Sequence, residues 1–273
     1  MIGRLCAPGV LLTSGLAFGR LAAQDTPASG PIADNSFLIE EAYNQESGVV
    51  QHISTYTRPD GGGAWAYSFT QEWPFRGRTH QLSYMVPVLN QSGSGTGLGD
   101  VALNYRYQLV ADGDDGLHVA PRLSLLLPTG DERRGRGAGG LGLQTNLPLS
   151  VRPRPWLALH ANAGLTWTPD ATNTAGESAA TLNANLGGSA IWLLRPTLNL
   201  MLELVWLSTE DVIGPDRRAR EGALFLNPGV RWAFNFPSGL QIVPGVAYTL
   251  GLDDGAGADA LFGYLSFEHP FSH

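Results

Sequence analysis

From Val101 to Leu109 every second residue is large and apolar: Val101, Leu103, Tyr105, Tyr107 and Leu109, with Ala102, Asn104, Arg106 and Gln108 between them. A period of two is the period of a β-strand. The stretch ADGDDG follows. Alternation then resumes with Leu117, Val119, Leu123, Leu125 and Leu127 on one parity and His118, Arg122 and Ser124 on the other. Two such runs around a tight Asp/Gly turn predict an antiparallel hairpin. Each run is roughly 9–11 residues long, the length a tilted strand needs to cross a bilayer. A polar parity carrying Arg and Asn suits a wet lumen, with the apolar parity turned to lipid.

The pattern recurs from Val49 onward, over about 49–58, 63–73, 78–88, 99–109, 117–127, 141–150, 156–167, 181–194, 197–208, 223–235, 239–251 and 260–271. These segments predict an all-β fold, a closed antiparallel transmembrane β-barrel of about 12 strands occupying 49–273. The connections alternate in length. Those near 74–77, 110–116, 151–155, 195–196 and 236–238 are short, whereas those at 89–98, 128–140, 168–180, 209–222 and 252–259 are longer and richer in Gly, Asp and Arg. Short turns at one end and long loops at the other are the outer-membrane arrangement, and an even strand count puts both ends of the barrel with the short turns, in the periplasm. Pro121, Pro228 and Pro244 fall inside these runs. Each lacks the N–H a ladder needs, and β-bulges are the expected accommodation.

One parity stays free of Asp, Glu and Arg in mid-strand: Leu82, Tyr84 and Val86, then Leu198, Leu200, Leu202, Leu204 and Trp206, then Ile242, Val246, Tyr248 and Leu250 among others. An Arg at the bilayer midplane would cost about 2–4 kcal/mol, so this is the lipid face. Trp65, Trp73, Trp167, Trp206 and Trp232 fall near segment ends, as interfacial belts require. The other parity carries Glu72, Arg106, His118, Arg122, His160, Glu203, Arg231 and Glu268, which are the candidate residues of a solute path through the lumen. Arg and Glu there can pair across the interior and either fill the bore or line a narrow route.

Composition adds a location. Residues 1–23 pair Arg4 with an apolar centre from Leu5 to Phe18 and end on Leu21-Ala22-Ala23, the form of a secretory signal peptide. The single Cys6 lies in that leader, so the exported chain would have no disulfide framework. All 17 basic residues are Arg, and a net charge of -7 without a basic stripe argues against nucleic-acid binding. Residues 24–48 then form an N-terminal periplasmic segment. Within it SFLIEEAYNQE, residues 36–46, predicts a short helix: Asn35 or Ser36 can cap it, and Ile39 and Tyr43 stand four apart. The helix serves either as a plug in the barrel or as a lead-in to the first strand.

Catalytic and cofactor motifs are weak. Gly135, Gly137 and Gly140 fit GxGxxG without a strand-turn-helix around them. Asp112, Asp114 and Asp115 start like a calcium loop, but its twelfth position would be Leu123. His118 or His160 with Ser124 is the only hydrolase-like combination, and neither GxSxG nor HExxH occurs. The expectation is a non-enzyme with no cofactor and no metal. The Arg133, Arg134, Arg136 loop is a candidate contact for lipopolysaccharide phosphates.

Three stretches together, DNSFLIEEAYNQE at 34–46, GLGDVALNYRYQL at 97–109 and PRLSLLLPTGD at 121–131, resemble the bacterial outer-membrane family labelled MetA-pathway of phenol degradation. The resemblance implies an exported outer-membrane barrel, a transporter for small aromatic or apolar solutes, and no catalytic residues. The chain ends LSFEHPFSH, which resembles the terminal signal of barrels read by the barrel-assembly machinery, although Ser272 and His273 follow Phe271. The reading is a channel for passive passage of small solutes in the outer membrane; the alternative is a structural or plugged barrel without transport.

Overall fold

A computed structural model describes residues 31–113, 116–237 and 239–270. The leader at 1–23 and the closing Phe271 lie outside the described residues.

Twelve strands cross the wall. They are β1 (Val49–Pro59), β2 (Trp65–Phe75), β3 (His80–Gln91), β4 (Val101–Tyr107, resuming at Val110–Ala111), β5 (His118–Val119 and Arg122–Leu127) and β6 (Gly142–Arg154). The second half comprises β7 (Leu157–Thr172), β8 (Ser178–Arg195), β9 (Leu198–Gly214), β10 (Arg217–Trp232, with Phe234–Asn235), β11 (Gln241–Leu252) and β12 (Ala260–Pro270). Each pairs antiparallel with its sequence neighbours, and β12 returns to β1 from Val49↔Pro270 to Pro59↔Ala260. The sheet therefore closes, which removes the free edges that an open sheet would present.

Side-chain alternation sorts the residues as the period of two requires. Leu143, Leu147, Leu149, Leu165, Leu186, Leu200, Leu202 and Leu204 are exposed on the outer wall. Trp65 and Trp167 sit toward the long-loop end of their strands, and Trp73, Trp192 and Trp232 toward the short-turn end. Two aromatic belts at these levels mark the two interfaces of the outer membrane in which the barrel sits.

Three features depart from the sequence expectation. First, residues 36–46 form no helix, and no α-helix occurs among the described residues. Second, the connections around 168–180 and 209–222 are mostly strand, since β7–β8 and β9–β10 run on to tight turns at Asn173–Gly176 and Pro215–Asp216. Arg218 and Arg220 both bond Glu210, which holds the upper part of β9–β10 together. Third, only one of the three prolines has a bulge. At Pro121, Tyr107, Gln108 and Leu109 stand against Ala120 and Pro121, which shifts the register between Arg106↔Arg122 and Val110↔Val119. The β10–β11 ladder instead lapses beside Pro228 and Pro244 and resumes in unchanged register. Both prolines keep their places opposite Leu202 and Leu265 on their other sides. A strand has two neighbours, so a missing N–H interrupts one ladder while the other holds position.

Candidate functional site

The lumen is occupied by the chain's own residues 31–48. Ile32 donates its N–H to Pro196 at a short turn (2.7 Å), and the segment climbs to mid-barrel before descending to Asn44, whose side chain bonds the Arg78 carbonyl (2.8 Å). Residues 34–45 are buried. No helix forms here, and the wall supplies acceptors both for the first-turn N–H groups that a helix would leave open and for those of Glu40, Ala42, Asn44 and Gln45 that it would bond internally. Glu203 Oε1 accepts from the N–H groups of Phe37 (3.0 Å), Leu38 (2.7 Å) and Ile39 (3.1 Å). Asn162 takes that of Glu40 (2.7 Å), Ser150 that of Ala42 (2.8 Å), Gln108 that of Asn44 (3.0 Å) and Gln81 that of Gln45 (2.6 Å). Seven backbone donors thus end on side chains from strands of the wall and their margins.

The segment has two halves, and so does its seat. Phe37, Leu38 and Ile39 pack with Ile53, Ile191, Met201, Val205, Val243, Ala247, Phe262 and Tyr264, all inward-facing on β1, β8, β9, β11 and β12. This side of the interior carries an apolar cluster beside the buried Glu203 and Arg231, in place of the wet polar surface expected throughout. Glu40 through Gln45 meet the polar side. Arg122 Nε bonds both carboxylate oxygens of Glu40 (3.0 and 2.9 Å), Arg106 Nη1 reaches Oε1 (3.3 Å) and Asn146 Nδ2 reaches Oε2 (2.5 Å). Arg106 also donates to Asn44 Oδ1 (2.9 Å) and to the carbonyls of Glu41 (3.3 Å) and Tyr43. Glu40 and Arg106 are each 1 % exposed, so the pair is held out of water.

All eight residues expected on the inner face lie on the inner parity, and most of them hold the plug. Besides Arg106, Arg122 and Glu203, His160 bonds the Asp34 carbonyl (2.8 Å) and Ser150 Oγ (2.7 Å). His118 sets its ring edge-on to Tyr43 at 4.7 Å. Arg231 donates to the Ala33 carbonyl and lies over the Tyr264 ring at 5.7 Å. Glu72 acts one step removed, accepting from Gln81 (2.9 Å), whose oxygen takes Gln45 N–H. Glu268 bonds Gln51 (2.8 Å), away from the plug. The cross-lumen pairing of wall Arg with wall Glu does not form for Arg106 and Arg122, because Glu40 intervenes. The hydrolase-like combination is not assembled either: Ser124 Oγ accepts from Arg122, while His160 bonds Ser150. Sequence reasoning missed Asp34, Glu40 and Glu41 as site residues. The signal available was charge complementarity, since these carboxylates precede a barrel whose inner parity carries Arg106, Arg122 and Arg231.

Glu41 carries a pH consequence. Burial pushes its carboxyl well above the ordinary carboxylate range; Arg106 opposes this, while Glu72 and Glu40 reinforce it. Its Oε1 accepts from Asn35 Nδ2 (2.9 Å). Raised affinity for a proton in the seated state means that seating binds a proton. The contribution of Glu41 to the seat is therefore full below the carboxylate's free pKa, about 4.3, and is lost as pH rises toward the elevated value. Plug release, followed by bilayer conductance from pH 4 upward, should increase with pH, and Glu41→Gln should flatten that dependence.

Comparison with known proteins places this geometry. A family model described as "Putative MetA-pathway of phenol degradation" matches residues 29–246. An outer membrane channel from Pseudomonas putida F1 superposes with a TM-score of 0.62 at 14% identity, covering 84% of this chain and 97% of that one. The NanC porin superposes with a TM-score of 0.55 at 11% identity, covering 82% of this chain and 100% of that one. At such identities the likeness is one of fold. No curated protein matches the chain by sequence.

Proposed function

Since the chain belongs to the phenol-degradation family of that description, we propose that it is an outer-membrane channel for passive passage of small solutes, aromatic or apolar ones among them, closed in the present state by residues 31–48. One observation carries the reading. The obstruction is not part of the sheet, and wall side chains hold its backbone through individual hydrogen bonds, so it can leave while the twelve-strand ladder stays intact. Both relatives of the same fold are named as a channel or a porin, which supports transport over catalysis. Glu72, Arg106, His118, Arg122, His160, Glu203, Arg231 and Glu268 then line the route once the plug moves. Lipopolysaccharide at the exposed Arg133 and Arg134, and the barrel-assembly machinery at the C-terminal end, remain part of this proposal.

Ser36 Oγ lies 2.5 Å from Ser189 Oγ, which brings the two side chains within disulfide reach. In a Ser36→Cys/Ser189→Cys variant, oxidation should abolish single-channel openings in a planar bilayer, and a reductant should restore them. Equal conductance in both redox states would refute plug closure. Silence of the reduced protein at all voltages would favour the sealed structural barrel, a reading that the dense packing around the plug also supports.

A further inference from the structure

We infer that the seat of Phe37 is a binding site for a neutral, single-ring aromatic molecule, and that such a molecule releases the plug by taking the place of the Phe37 ring. The inference rests on the reading of residues 31–48 as a displaceable plug and goes on to name what displaces it.

The seat is shaped to a flat ring. Phe262 and Tyr264 tilt against the Phe37 ring with centroids 5.1 and 5.2 Å away, at 40° and 42°. Two inward positions of the adjoining strands β10 and β11 are glycine. A Cβ on Gly229 would stand 2.6 Å from Phe37 Cε2, and one on Gly245 would stand 2.6 Å from Phe37 Cζ. Neither position leaves room for any side chain while the ring is seated. Ala247 continues the wall beyond Gly229, and the stem of Arg231 adjoins Gly245. Glycine in a strand interior weakens the strand, so its use at two neighbouring inward positions, Gly229 paired with Ala247 and Gly245 paired with Arg231, marks a close approach.

The occupant is a phenyl group on a segment that the barrel holds by separable bonds. Phe37 is fully buried, and a buried aromatic contributes most of its stabilisation through area removed from water plus ring geometry. A free aromatic molecule offers the same kind of area and the same tilted ring contacts. It competes with Phe37 for one place, and binding to the plug-released state shifts the population toward that state. The rim is not hydrocarbon throughout: the Arg231 guanidinium lies over the Tyr264 ring, and its stem and Phe37 Cζ both adjoin Gly245.

The test uses phenol as probe on the full-length exported chain in detergent, read by isothermal calorimetry, with conductance recorded in parallel. Folding of each variant is checked by heat-modifiable migration on gels. Phe37→Ala vacates the seat and should bind phenol at least tenfold more tightly than the wild type, because a site occupied nine-tenths of the time by its own ring shows that fraction of its affinity as lost. Phe37→Ala/Gly245→Leu fills the vacated seat and should bring binding back to the wild-type level or below. Phenol should raise the open fraction of the wild type and leave that of Phe37→Ala unchanged. If Phe37→Ala conducts more yet binds phenol no better, the aromatic site is overturned while the plug stands. Equal competition by n-hexanol would overturn the ring specificity. If Phe37→Ala gains phenol affinity but no variant conducts, the site holds and the channel reading fails.

Discussion

Glu40→Ala is expected to unseat the plug. The carboxylate of Glu40 is the shared partner of two guanidinium groups, Arg106 and Arg122, and all three are buried. Removing one member of a buried ionic cluster leaves the rest uncompensated and typically costs about 3–5 kcal/mol. The loss falls on the seated state, because once the segment leaves, water reaches Arg106 and Arg122 and solvates them. At about 1.4 kcal/mol per tenfold, the closed-to-open ratio should fall by roughly two to three and a half orders of magnitude. The barrel itself should keep its heat-modifiable mobility, since none of its ladder bonds involves Glu40. Planar-bilayer recording would show long openings in place of brief ones. Glu40→Gln should lie between the two, as its amide oxygen can still accept from one arginine. A Glu40→Ala barrel that stays closed would mean that the apolar half, around Phe37, holds the plug alone.

This division of labour between the two halves explains what the sequence could and could not disclose. The strands were legible because lipid imposes a strict rule on one parity: Leu200, Leu202 and Leu204 face out, so Met201, Glu203 and Val205 must face in. That rule is local and needs no partner. The closure of β1 onto β12 followed from the strand count, and the position of Arg106, Arg122 and Glu203 inside followed from parity. Segment 36–46 was not legible in this way. Its spacing of Ile39 and Tyr43 suits a helix, but the acceptors that decide its shape lie on Glu203, Asn162 and Ser150, more than a hundred residues further along the chain. Only the closed barrel brings them together. The same holds for Pro228 and Pro244, whose accommodation depends on which neighbouring ladder can lapse. The extensions of β7–β10 beyond the membrane were missed for a different reason. Outside lipid the outer parity no longer has to be apolar, so Glu210, Arg218 and Arg220 broke the pattern without ending the strands.

Glu203 gives the second large effect and separates charge from hydrogen bonding in holding the plug. It is fully buried on β9, and one oxygen gathers three consecutive backbone N–H groups while the other accepts from Asn227 Nδ2 (2.6 Å). Successive amides converging on one anion form a nest, a geometry that stabilises negative charge without a basic side chain. Glu203→Ala strands those donors in a seat closed to solvent, and each unsatisfied buried group costs about 1–3 kcal/mol. A plug that loses several kcal/mol here should open at least a hundredfold more often. Glu203→Gln keeps a carbonyl oxygen for the three N–H groups but turns an NH2 toward Asn227 Nδ2, a donor facing a donor unless Asn227 rotates. Its oxygen can then go to Thr249 no longer, although the Thr249 hydroxyl, which now donates to Asn227 Oδ1 (2.8 Å), can turn to accept. The glutamine barrel should therefore stay mostly closed, and its conductance should lie much nearer the wild type than the alanine variant's. If alanine and glutamine open the channel equally, the negative charge of Glu203 holds the plug, not its capacity to accept three hydrogen bonds. If neither opens it, the nest is incidental, and the Glu40 cluster and the Phe37 seat carry the closure.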